Sequence, residues 1–132
     1  MCRHGLLDTS VVIDLDLIED ASLPEQSTVS AITLVELTIG PLAAGRDEEE
    51  RARRQDRLQW ATARWDPLPF DALAARAYGR IYSALVVRGP VGRRRFADLL
   101  IAATALANDL PLYTRNAADV KGLDDLITVR SV

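Results

Sequence analysis

Four carboxylates occupy positions where an α/β fold would bring them to one place. Asp8 directly follows a short apolar run, Glu36 lies inside a helical stretch, Asp98 begins a very apolar segment, and Asp119 follows a short strand and turn. Open parallel sheets form ligand sites outside the carboxyl ends of their strands, where strand-to-helix connections converge. Clusters of oxygen ligands suit Mg²⁺ or Mn²⁺, because hard cations prefer carboxylates and water. The pattern therefore predicts a metal-dependent phosphodiesterase.

Length and composition indicate one domain. The chain has 132 residues, of which 48% are hydrophobic and 27% charged, so we expect residues 1–132 to fold as a single soluble domain. The only cysteine is Cys2, which excludes an internal disulfide. We find no pattern of a signal peptide and no apolar stretch of the length that a membrane span needs, which favours a cytoplasmic protein without a membrane partner.

Several catalytic systems are excluded by residue type. The chain has one histidine, His4, and one cysteine. It therefore lacks the residues that a zinc site or a Ser-His or Cys-His nucleophile would need. Neither Gly40 nor Gly45 belongs to a phosphate-binding loop, because the Lys-Ser/Thr pair is missing. The net charge of −3 does not exclude a nucleic acid as a binding partner. The four clustered acids contribute −4, so the rest of the chain has a net charge of −3 + 4 = +1.

Alternating strands and helices predict the fold class. We expect short strands that end at Leu7 and Val29, and strands at 112–114 and 127–129, joined by helices over 10–17, 30–39, 46–64, 71–87 and 96–108. Such an order is typical of an α/β domain with a central parallel sheet of four to five strands flanked by helices. The helix from Ser30 is expected to bury Ile32, Val35 and Ile39 and to end at Gly40-Pro41.

Each acid alone also has a structural explanation, such as capping a helix or complementing its dipole. Glu36 is different, because it stands among apolar residues and an unpaired buried carboxylate costs several kcal/mol. A shared metal would satisfy all four acids together. Short polar side chains next to them are of the type that orients metal ligands: Thr9, Ser10, Thr114 and Asn116.

The motifs also resemble a known family. The segments are Leu7-Asp8-Thr9-Ser10-Val11-Val12-Ile13, Val29 to Leu37 with Gly40, Arg95 to Ala103, and Leu112 to Asp119. In this order and spacing they resemble the PIN-domain ribonucleases, and specifically the VapC toxins of VapBC toxin–antitoxin pairs. The resemblance extends over essentially the whole chain.

This resemblance implies a Mg²⁺- or Mn²⁺-dependent endoribonuclease that cuts tRNA or ribosomal RNA and arrests growth. Asp8 and Asp98 would be the principal metal ligands, and Glu36 and Asp119 would complete the catalytic pocket. Four arginines would hold flanking phosphates of the RNA: Arg93, Arg94, Arg95 and Arg115. The implied partners are a VapB-type antitoxin, a second copy of the chain in a homodimer, and operator DNA only through the antitoxin.

Two other classes stay open from the residues alone. A phosphoryl-transfer domain would also use an Asp after the first strand, but the second Asp that such a phosphatase needs is replaced by Ser10. A receiver domain would need a late lysine on a strand, whereas the only lysine, Lys121, follows the last acid. A non-catalytic PIN-like binding module would keep the acidic pocket and bind a partner's arginine there.

Overall fold

A parallel sheet of four strands forms the centre of the computed structural model, which describes residues 3–132 and leaves Cys2 outside the described residues. The spatial order of the strands is β2-β1-β3-β4. Their bounds are His4–Leu7 for β1, Gln26–Val29 for β2, Leu112–Thr114 for β3 and Val129–Ser131 for β4. The predicted parallel sheet is confirmed, with four strands. The first strand begins at His4 and ends at Leu7 as expected, and the last strand starts two residues later than expected.

Helices cover both faces of this sheet. They are α1 Thr9–Ile13, α2 Ala31–Ala43, α3 Glu48–Arg64, α4 Ala72–Val86 and α5 Phe96–Ala107. Short 3-10 turns occupy Leu15–Leu17, Asp20–Ser22, Arg93–Arg95 and Ala117–Val120. None of the helices in residues 3–132 combines the length and apolarity needed to cross a bilayer.

Neighbouring residues of each central strand belong to different cores, because successive side chains point to opposite faces of a sheet. Leu6 and Leu112 pack with residues of α4 and α5, whereas Leu7 and Tyr113 pack with residues of α1, α2 and α3. The helix α5 is apolar nearly all round and is buried over most of its length, as its composition predicts. The molecule therefore has three layers, with the sheet between two groups of helices.

The prediction for α2 was wrong in two respects. Val35 and Ile39 are more than half exposed, and the buried positions are Thr33, Leu37 and Pro41. The helix also continues through Pro41 to Ala43.

Candidate active site

Asp8 stands at the carboxyl end of β1 and at the same time caps α1. Its Oδ1 accepts hydrogen bonds from the Val11 amide at 3.2 Å and from the Ser10 hydroxyl at 2.5 Å. The Ser10 hydroxyl in turn accepts from the backbone N–H of Arg115 at 3.1 Å, beyond the end of β3. These bonds leave Asp8 buried, at 7% exposure, and fix its carboxylate between the ends of two neighbouring strands. Asp8 is therefore the N-cap of α1, which is one of the structural explanations considered for each acid.

Glu36 is held from the same turn. The hydroxyl of Thr9, the first residue of α1, donates to Oε1 of Glu36 at 2.6 Å. The Thr9 oxygen also lies 3.0 Å from the hydroxyl of Thr33, which is fully buried one turn earlier on α2. Thr9 thus joins α1 to α2 at the site and supplies the polar contact that a half-buried carboxylate needs.

A second buried hydroxyl pair joins α2 to α5. Ser30 caps α2 by accepting from the Ile32 amide at 3.0 Å, and its oxygen lies 3.2 Å from the hydroxyl of Thr104. Thr104 donates its only hydroxyl proton to the carbonyl of Leu100 at 3.0 Å, so Ser30 is the donor between them. Both hydroxyls are fully buried. This pair fixes the helix of Glu36 relative to the helix of Asp98.

Asp98 lies in the first turn of α5, and its pKa is affected by the other three acids. The pKa of Asp98 is raised to about 6, and partial burial is the largest cause. The negative charges of Asp119, Glu36 and Asp8 raise this pKa further, whereas the positive charge of Arg95 lowers it. Carboxylates influence one another in this way only at short range, because solvent and salt screen distant charges. The charges of the other three predicted acids thus act on Asp98, which lies in the same region of the molecule as they do.

Asp119 belongs to the 3-10 turn that follows β3. Arg95 holds this turn, because its Nε donates to the backbone oxygen of Asp119 at 2.7 Å. Thr114 shapes the entry to the turn by accepting from the Asn116 amide at 2.9 Å. Of the four polar residues expected to orient the acids, Thr9 and Ser10 contact acid side chains directly, whereas Thr114 and Asn116 contact each other.

The four arginines predicted to bind RNA differ in their surroundings. Arg93 and Arg94 are exposed in the turn before α5. Arg95 is half buried and bound to backbone oxygens, and Arg115 lies 3.5 Å from Asp14 in an ion pair. Arg95 and Arg115 thus have contacts within the protein, and the binding of RNA phosphates by the four arginines stays a prediction.

Sequence reasoning missed Thr33 and Thr104. Each is a hydroxyl residue inside a strongly apolar helical stretch. A buried hydroxyl needs a partner, so each position signals a polar contact even though the sequence does not identify the partner.

The donor set of the centre consists of carboxylate oxygens, which suits a hard divalent cation. Within residues 3–132, no group of three or more His, Cys, Asp or Glu side chains is placed so that it could hold a metal ion by itself. By its chemistry, therefore, the donor set fits a divalent metal ion, although the described side chains are not arranged around one.

Comparison with known proteins gives the family. The model of the PIN domain matches residues 6–121. The chain is 35% identical to Ribonuclease VapC5 of Mycobacterium tuberculosis over 131 residues, which cover 97% of this chain and 93% of that protein. It belongs to the VapC family of PIN-domain ribonucleases.

Solved structures agree with this assignment. The VapBC-5 toxin–antitoxin structure from M. tuberculosis superposes with a TM-score of 0.80 at 35% identity, covering 98% of this chain and 97% of that chain. FitAcB from Neisseria gonorrhoeae superposes with a TM-score of 0.71 at 30% identity, covering 94% of each chain. Both superpositions extend over at least 94% of this chain, so the likeness includes the whole fold.

Proposed function

We propose that this VapC-family protein is a Mg²⁺- or Mn²⁺-dependent endoribonuclease whose catalytic residues are Asp8, Glu36, Asp98 and Asp119. The membership of the chain in the PIN-domain ribonucleases carries the proposal, and the four acids support it, because the charges of Asp119, Glu36 and Asp8 act on the half-buried Asp98. So much negative charge at one place is unfavourable without a cation. The proposed substrate class is cellular RNA, either tRNA or ribosomal RNA.

Asp8 and Asp98 are the proposed principal ligands, and Glu36 and Asp119 are the secondary ones. A bound ion would neutralise charge on the scissile phosphate and lower the pKa of the attacking water. The protein's own part is orientation. Asp8 is fixed by two hydrogen bonds, and Glu36 is fixed by the Thr9 hydroxyl. Cleavage in this manner leaves a 5′-phosphate and a 3′-hydroxyl.

The direct test uses purified protein, total tRNA and ribosomal RNA. Cleavage should require Mg²⁺ or Mn²⁺, stop with EDTA and not recover with Ca²⁺, whose longer and more flexible coordination suits in-line chemistry poorly. Asp8→Asn and Asp98→Asn should each abolish cleavage while the protein remains folded. Full activity of the wild type after removal of all ions would contradict the metal assignment. Failure of the wild type to cut RNA with either ion would favour the non-catalytic binding module.

The proposed partners follow from the family. A VapB-type antitoxin would place an arginine or lysine at the carboxylate centre, where a guanidinium matches carboxylate geometry. A cavity of about 400 Å³ between α1 and α3, lined partly by Ile13 and Trp60, offers apolar surface for an amphipathic segment of the antitoxin. We propose in addition a homodimer of the toxin, with operator DNA bound only through the antitoxin.

A further inference from the structure

A basic cavity lies beside the carboxylate centre. It has a volume of about 390 Å³ and is lined by the charged side chains of Arg88, Arg95 and Lys121, with mostly apolar residues from the end of α4 and the loop that follows it. Arg88 comes just after α4, and Lys121 directly follows the 3-10 turn that carries Asp119. The cavity thus lies between two elements whose ends are close to the site.

The charge of this cavity differs from that of its neighbours. Its lining contains three cationic residues and no carboxylate within the part of the chain that the structure describes. Four other cavities in residues 3–132 each include at least one Asp or Glu. In a chain with a net charge of −3, such a local excess of positive charge favours an anionic ligand.

The two exposed cations that face the cavity, Arg88 and Lys121, are not neutralised by an ion pair among the described residues. The guanidinium of Arg88 packs against Gly122. A Cβ atom at this position would lie only 3.2 Å from Nη1 of Arg88, so a larger residue would crowd the guanidinium. Gly122 has a φ of +96°, which other residues rarely adopt. Neither Arg88 nor Lys121 belongs to the ion pairs found among residues 3–132, and both are exposed. Their charges are therefore available to a ligand.

Arg95 marks the border between the cavity and the carboxylate centre. It lines the cavity, and its Nε donates to the backbone oxygen of Asp119. Its charge also acts on Asp98, where it lowers the pKa against the effect of the other acids. The basic cavity and the acidic centre are thus adjacent, with one arginine between them.

We propose that Arg88 and Lys121 form a subsite for a backbone phosphate of the RNA, next to the phosphate that is cut at the carboxylate centre. The inference rests on the proposed ribonuclease function and adds a binding site to it. A charged groove that follows the backbone is the usual way to bind single strands without reading their sequence. Arg88 can bind a phosphate through two N–H groups, and Lys121 adds a flexible point charge. Arg95 remains a positioning residue for the Asp119 turn.

The test is a double variant, Arg88→Gln with Lys121→Gln, beside a control of equal charge, Arg46→Gln with Arg76→Gln. The control arginines are exposed and line none of the five cavities. Binding is measured in EDTA by fluorescence anisotropy, with a fluorescein-labelled single-stranded RNA of about twelve nucleotides at several KCl concentrations. Each lost phosphate contact lowers the salt slope by about 0.7, so the double variant, which loses one such contact, should lose roughly 0.7 and bind about tenfold more weakly. The control should retain the wild-type slope.

A second measurement separates this subsite from the catalytic centre. With Mg²⁺ and a substrate that the wild type cuts, the double variant should raise KM about tenfold and leave kcat within about twofold. An unchanged slope and KM, with an active wild type, would overturn the subsite. Loss of binding to the purified antitoxin with intact RNA binding would also overturn it, because the cavity would then receive protein. An inactive wild type would contradict the ribonuclease function itself.

Discussion

The carboxylate of Asp98 is the side chain whose ionisation depends most clearly on its neighbours. In the folded protein its pKa is raised to about 6 from an ordinary value of 3.8, with burial as the largest cause. Between these two values the folded state binds more protons than the unfolded state, so the contribution of Asp98 to stability falls as the pH rises through this window. Above pH 6 the full cost of the charged carboxylate is present, until a cation offsets it.

A thermal unfolding series in EDTA tests this sign. On acidification from about pH 7 to about pH 5, the wild type should gain more stability, or lose less, than Asp98→Asn, because the variant has no charge to relieve. At pH 7, Mg²⁺ should raise the Tm of the wild type more than that of the variant. Equal pH responses of the two proteins would show that Asp98 does not carry this cost.

Thr9 has a different importance, since it acts through Glu36. Thr9→Val keeps the shape of the side chain but removes the donor that lies 2.6 Å from the Glu36 carboxylate. We expect cleavage to fall about ten- to a hundredfold, as is common when a residue that orients a metal ligand is changed. Thr9→Ser restores the hydroxyl and should recover most of the activity. If Thr9→Val is as active as the wild type, Glu36 does not depend on this bond.

Much of the site was predictable at the level of residue type. The four acids were identified from the short apolar segments and turns around them, and in the structure the charges of three of them act on the fourth, Asp98. Only one part of the contact that orients Glu36 could be predicted from the sequence. Thr9 could be named from its position next to Asp8, but Thr33 stands in an apolar stretch and its partner lies 24 residues away in sequence. Tertiary pairing of two hydroxyls leaves no periodic signal in the chain.

Among the elements, α2 has polar contacts with two other helices. Its buried Ser30 hydroxyl bonds to Thr104 on α5, and its Gly40 carbonyl accepts from Arg54 of α3 at 2.9 Å. These contacts explain why the sequence misled us about this helix. Apolar periodicity favoured Val35 and Ile39 as the buried face, whereas the structure buries a threonine that pairs with Thr9. Pro41 remains inside the helix, although proline normally ends one.

Removal of the contact between α2 and α5 should destabilise the domain. Thr104→Val is nearly isosteric and leaves the buried Ser30 hydroxyl without its acceptor, at a cost of about 1–2 kcal/mol. Urea denaturation provides the measurement. The matched control is Thr62→Val on α3, whose exposed hydroxyl bonds only to carbonyls of its own helix. A control that is as destabilising as Thr104→Val would mean that the pair contributes nothing specific.

At the scale of the whole molecule, the proposed toxin function makes a prediction in cells. Expression of the chain alone should arrest growth, because a ribonuclease without its antitoxin would cut the RNAs that translation needs. Co-expression of the neighbouring antitoxin gene should restore growth, and Asp8→Asn should be harmless at the same protein level. Normal growth with abundant soluble wild-type protein would count heavily against the toxin function.

The fold class was predictable as a whole because strands and helices alternate along the chain. The limits of the last strand were not, since β4 is only three residues long and its pairing with β3 decides where it begins. The pairing of β1 with β3 joins Leu6 to Leu112 and Leu7 to Tyr113, across almost the entire sequence.

That pairing has a consequence for the moment of synthesis. While the ribosome is still translating the chain, β1 can pair only with β2, because its second neighbour does not yet exist. Asp119 follows that neighbour in the chain, so the centre lacks its fourth acid until β3 has been made. On the proposed function, a nascent chain that ends before β3 is an incomplete nuclease. The order of the strands then delays RNA cleavage until β1 has both of its neighbours.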